Sequence, residues 1–189
     1  NSIKIVVVAK KRLFDISERK EEAQASSLGL HGKYVSKYLL AHYQKVEAVK
    51  KDISRLPEDE EFFFLQSNNA FNAFTFIPVV LEQASCKEMF VTTYSINKRV
   101  LNALVELHKS GGIDQITLLI SDTILQRNPM VSDLLSAVNK QYANINILFA
   151  WVHAKVCLIK TDSSHYVVEG SGNWSENAYY EQYVLANSK

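Results

Sequence analysis

The residues best suited to chemistry in this 189-residue chain come late: His153-Ala154-Lys155, then Gly170-Ser171-Gly172-Asn173, then Glu181. Residues two apart on an extended strand share a face, so His153 and Lys155 project together if a strand begins there. The imidazole offers a nitrogen nucleophile or a proton carrier, and the ammonium a fixed positive charge. Gly170 and Gly172 are expected to let the backbone turn tightly, with Ser171 and Asn173 supplying a hydroxyl and an amide. Donors gathered around one point suit the oxygens of a phosphoryl group. No acidic cluster in the sequence is placed to hold a divalent metal, and neither a metal nor another cofactor is expected.

The elements that must position these residues follow from periodicity. Residues 3–9 form an apolar, β-branched run that reads as a buried strand. Residues 15–27 suggest an exposed helix. From 33 to 53 apolar side chains recur at a helical period, with lysines mostly off the stripe. Residues 62–65 are a strand candidate, and 70–84 a helix with Pro78 near its start. Thereafter strands at 89–93, 116–120, 145–151, 155–160 and 165–169 alternate with helical stripes at 100–108, stopped by Gly111-Gly112, and at 131–142. This order predicts an α/β fold: a mixed central β-sheet flanked by helices on both faces, its closing strands antiparallel or mixed. The turn around Pro57-Glu58-Asp59 divides an N-terminal strand and basic helical segment, residues 1–60, from a catalytic domain at 61–189 on which it is expected to pack.

Composition narrows the class. Hydrophobic residues make up 47% and charged residues 22%, which excludes a disordered tail, a fibre or a low-complexity linker. The net charge of +1 hides an asymmetry: residues 1–55 hold 12 Lys+Arg against 6 Asp+Glu. That basic segment is suited to an anionic polymer through counterion release, or is simply a solvated helix face. The two cysteines, Cys86 and Cys157, match no metal spacing and are expected to be buried thiols in a reducing compartment. No membrane-length apolar run and no cleavable signal is visible, so a cytoplasmic location is expected. The first residue is Asn1, which leaves open a preceding segment.

Singly, each chemical residue has an ordinary reading. A strand histidine is usually structural, a lysine solvated, a Gly-Ser-Gly-Asn segment a turn. Asn173-Trp174-Ser175 also fits a glycosylation sequon, although nothing else argues for secretion. The ordered combination is far more specific. His-x-Lys followed by Gly-Ser-x-Asn resembles the signature of the phospholipase D superfamily, and most of all its small single-motif members of the bacterial endonuclease type. Phe74-Thr75-Phe76-Ile77-Pro78 opening a helix, the strand leading into Tyr94-Ser95, the helix at 100–108 and the strand ending at Asp122 follow the same order. The resemblance covers residues 70–187. One position departs from it: where that family has an aspartate five residues after the lysine, this chain has Lys160. Asp162 is the nearest acid, either a counterpart in a larger hairpin or a turn residue.

The resemblance implies a mechanism. One histidine attacks phosphorus to form a phosphohistidine, a second protonates the leaving oxygen, and water then hydrolyses the intermediate. Lys155 and Asn173 would bind the non-bridging oxygens, with Ser171 as a further donor. Glu181, matching the family's downstream acid, would accept a hydrogen bond from His153 and fix its tautomer. Only one motif is present. His42, His108 and His165 have no lysine two residues on, and His31-Gly32-Lys33 has no Gly-Ser-x-Asn of its own, so a homodimer pairing two copies of His153 is expected to complete the site. The implied function is a metal-independent endonuclease acting on DNA or RNA. The alternatives are a nucleic-acid-binding module with weak or absent catalysis, which Lys160 would favour, and a phospholipid phosphodiesterase.

Overall fold

The computed structural model describes residues 4–7, 46, 47, 49, 50, 53–68, 72–175 and 180–188, with residues 4–7 and Asn68 described in their backbone. Eight strands are set out: β1 (Lys4–Val7), β2 (Glu61–Asn68), β3 (Cys86–Thr93), β4 (Ile113–Ser121), β5 (Ile145–Ala150), β6 (Val156–Lys160), β7 (His165–Gly170) and β8 (Tyr180–Asn187). A 3-10 turn at Ala73–Thr75 leads into α1 (Phe76–Leu81). The later helices are α2 (Lys98–Lys109), α3 (Ile124–Arg127) and α4 (Pro129–Gln141). Of the helices expected at 15–27 and 33–53, all but a few residues lie outside the described chain. Val46, Glu47, Val49 and Lys50 are helical, and Val46 and Val49 are buried in the core.

The strands form one sheet in the order β1-β2-β8-β7-β6-β3-β4-β5. β3, β4 and β5 run parallel, joined by crossovers that carry α2 and then α3 with α4. β6 lies antiparallel to β3, and β6, β7 and β8 form an antiparallel meander closed by β2. β1 adds in parallel to β2. The sheet is mixed, as the sequence predicts. Its directions bring the C-terminal ends of β3, β4, β5 and β7 and the N-terminal ends of β6 and β8 to one edge.

Pairing register places apolar residues of neighbouring strands side by side on one face. Val91 is opposite Leu118 and Cys157; Cys157 faces Val168, Val168 faces Leu185, and Leu185 faces Phe63. All six are buried. α1 presses Phe76 and Ile77 into this face, with the Phe76 ring 5.4 Å from Tyr183, and α2 adds Val100, Leu101 and Leu104. The alternate strand residues point the other way, and there Phe90, Leu148 and Leu158 remain 36–44% exposed. Local chemistry sets the helix ends. The Asn97 side chain accepts from Val100 N at 2.9 Å to start α2, and Gly111, at φ 78°, ends it. Asn128 and Pro129 open α4 in the same manner.

Candidate active site

The β-ladder of β6 starts at Val156, whose N–H donates to Thr92 Oγ1 at 3.2 Å. His153 and Lys155 therefore lie just before the strand, in the connection from β5, and not within it as the pattern of 155–160 predicts. Lys155 is anchored from both sides. Its carbonyl accepts from Gly170 N at 3.2 Å, and its Nζ donates to the carbonyl of His153 at 2.6 Å. The side chain is buried, and Nζ sits 3.2 Å from His153 Nδ1 and 3.4 Å from Nε2. An ammonium has no lone pair, so whichever ring nitrogen it bonds must accept. Burial pushes the Lys155 pKa below the ordinary lysine value, and the charge of Glu181 opposes that shift. The His153 ring is exposed, ready for a substrate.

Tyr94, in the turn after β3, is the floor of this pair. Its ring lies 5.0 Å from that of His153 at 55°, and 6.0 Å from Lys155 Nζ. Its hydroxyl accepts from Arg127 Nη1 at 2.7 Å. Neither Tyr94 nor Arg127 carries a spacing signal that sequence reading could use: they are 33 residues apart, and only the parallel pairing of β3 and β4 brings their following loops together.

The second half of the expected site sits on the same edge with altered duties. The Ser171 hydroxyl donates to the Glu181 carboxylate and accepts from Gln182 N at 3.1 Å, while Ser171 N donates to Gln182 O at 3.0 Å. The hydroxyl proton is thus committed to Glu181. The expectation of a free Ser171 donor is corrected by this bond. So is the expectation of a Glu181–His153 hydrogen bond: the carboxylate is held by Ser171, and its influence reaches Lys155 through charge. The glycines are corrected too. Among the described residues the only glycine at positive φ is Gly111, so neither Gly170 nor Gly172 is there for a left-handed turn. Gly170 ends β7 opposite Tyr183, where an added Cβ would lie 2.4 Å from both Tyr183 Cδ1 and Gln182 O. The residue is needed for close approach.

Asn173 is half-buried beside Trp174, whose buried ring meets Phe74 at 5.5 Å. Trp174 N donates to Thr93 Oγ1 at 3.2 Å, and Trp174 O accepts from Asn97 N at 3.2 Å. These bonds fasten the 171–175 segment beneath the end of β3. Asp162 does not join the site. It lies in the β6–β7 turn at the opposite end of β6, 77% exposed, with Lys87 3.9 Å away. That turn is built by Thr161, whose Oγ1 accepts from Ser164 N at 3.0 Å. Lys160 is at the same distant end, paired with Glu88 at 2.6 Å. Of the other histidines, His108 Nδ1 is 2.8 Å from Ile113 O, a tie between α2 and β4, and His165 is exposed at the far end of β7. His31 and His42 lie outside the described residues. Among the described residues, no three His, Cys, Asp or Glu side chains converge as a metal site would, and no helix is long and apolar enough to cross a membrane.

Residues 79–186 match the family described as cardiolipin synthase, PLD-like domain. The chain belongs to the phospholipase D superfamily. Phosphodiesterase-type chemistry, hydrolytic or group-transferring, is the reaction class that goes with this domain. No curated protein matches the sequence. Among solved structures this phospholipase D domain is similar to polyphosphate kinase from Porphyromonas gingivalis, with TM-score 0.52 and 15% identity over 67% of its length. It spans 23% of that kinase. NucT from Helicobacter pylori aligns with TM-score 0.47 and 18% identity, over 68% of this chain and 87% of NucT. Phosphatidylserine synthase from Haemophilus influenzae Rd KW20 aligns at 0.47 and 19%, over 75% of this chain and 37% of the synthase. At 15% identity the likeness to the kinase is one of fold.

Proposed function

We propose that the protein is a phosphodiesterase that cleaves nucleic acid without a metal, through a phosphohistidine on His153, in a site completed by a second copy of the chain. The supporting observation is the exposed His153 ring set against the buried ammonium of Lys155, the one such pair among the described residues. A ring nitrogen of His153 forms the bond to phosphorus as the bond to the leaving oxygen breaks. The second copy's His153 gives that oxygen a proton. Water, losing a proton to the same second histidine, then attacks phosphorus and restores the first. Splitting the displacement makes each step easier, and acid–base help adds about 10²–10⁴-fold.

Lys155 and Asn173 would bind the non-bridging oxygens. The desolvated ammonium is more effective there than one in water, because its field is less screened. Glu181, tied to Ser171, keeps Lys155 charged against the effect of burial. The nucleic-acid substrate is supported by the basic balance of residues 1–55. Lys160, in place of the expected acid, is a weak argument for a silent binding module, since it lies at the far end of β6.

Plasmid DNA incubated with the protein in excess EDTA tests the reading. Nicking should persist, and sedimentation should give about twice the chain mass. Activity that vanishes with EDTA and returns with magnesium overturns it. A mixed dimer with one His153→Ala chain should be nearly as inactive as the double variant; half-activity would mean that each chain works alone.

A further inference from the structure

Arg127 ends α3, in the connection that leaves β4 on the site edge. Its guanidinium is exposed, and its hydrogen bond goes to a neutral acceptor, the Tyr94 hydroxyl at 2.7 Å. No carboxylate among the described residues pairs with it. A guanidinium has five N–H donors in a planar fork, so most of that fork and the whole of its charge stay available to an anion. Tyr94 in turn packs on His153 at 5.0 Å. Arg127 therefore stands one phenol ring away from the reacting imidazole, while the cation beside that imidazole is Lys155.

A nucleic-acid strand never presents a lone phosphodiester: the scissile group has charged neighbours along the backbone. We propose that Arg127, presented by Tyr94, binds a phosphate next to the scissile one, so that the site favours a polyphosphodiester strand over an isolated phosphodiester. This rests on reading the site as a nucleic-acid phosphodiesterase. Tyr94 acts as a positioning residue, aligning the guanidinium with the His153 ring.

The test uses a His153→Ala background, a fluorescent single-stranded oligonucleotide and a salt series. Adding Arg127→Gln should weaken binding several-fold and lower the slope of log K against log salt by about 0.7, the value for one phosphate contact on a single strand. Arg127→Lys should restore the slope without the full affinity. Tyr94→Phe, which keeps the ring on His153 but removes the hydroxyl, should weaken binding less than Arg127→Gln. In the active chain, Arg127→Gln should raise KM several-fold more for the oligonucleotide than for bis(p-nitrophenyl) phosphate, which has one phosphodiester. An unchanged salt slope, or equal losses on the two substrates, overturns the role of Arg127 while leaving the nucleic-acid reading intact. A wild-type chain that turns over the small substrate but neither binds nor cleaves the oligonucleotide overturns both.

Discussion

The two ends of the β6–β7 hairpin differ in kind. At the end where β6 begins, Lys155 is buried, bonded to backbone, and set against His153 and Tyr94, while Ser171 and Glu181 close the other side. At the end where β6 stops, Lys160 pairs with Glu88, and Lys87 stands between Asp114 and Asp162, all at the surface. The same residue types are present at both ends. What separates them is desolvation: the pKa of Lys155 is depressed by burial, whereas exposed ion pairs are screened by water and contribute little. A position in a sequence signature therefore has the meaning its end of the strand confers. Lys160 stands where the resemblance expects an acid, yet it closes the five-residue β6 at the end away from the reacting groups.

Substitutions at both ends of the hairpin sharpen or break this contrast. The largest effect is expected of His153→Ala, which should lower hydrolysis by several orders of magnitude with the circular dichroism spectrum unchanged. His165→Ala, at the opposite end of the hairpin, should leave the rate alone. Equal losses from the two would erase the distinction.

Lys155→Met should lower kcat by about 10²–10³-fold, as losing a preorganised charge does. Its effect on stability has a definite sign. The folded-state pKa lies below the unfolded value, so the unfolded chain holds more protons in the window between them, and wild-type stability rises with pH there. The variant removes that dependence. Melting curves from pH 7 to 10.5 should show wild type gaining on Lys155→Met as pH rises; parallel curves would mean that Lys155 is not desolvated.

Gly170→Ala inserts a methyl where Tyr183 and Gln182 already sit at 2.4 Å, and should cost about 1–3 kcal/mol in denaturant melts, with activity falling as the Ser171–Glu181 contact shifts. A neutral result would restore the turn reading of that glycine. The smallest effect belongs to Lys160→Asp. It places an acid directly opposite Glu88, a like-charge pair that should cost about 0.2–1 kcal/mol, recovered in Glu88→Lys/Lys160→Asp, with kcat unchanged throughout. A rise in kcat would mean that the far end does reach the site.

Much was legible in the residues themselves. The alternation of apolar runs at 89–93, 116–120 and 145–151 with helical stripes requires strands buried by helices, because each element must hide an apolar face. The ordered set His153, Lys155, Gly170, Ser171, Asn173 and Glu181 pointed to one edge because the strands carrying it are short and closely linked. Pairing was not legible. Tyr94 and Arg127 meet because β3 and β4 run parallel, so their loops open side by side, and no local spacing encodes that. Ser171 binds Glu181 because antiparallel register sets Gly170 against Tyr183, and a shift of one residue would turn Glu181 to the other face. The chain by itself determined which side chains could handle a phosphodiester. The tertiary structure decided which of them share a desolvated edge and which stay in water, since burial and register arise only when distant strands pair.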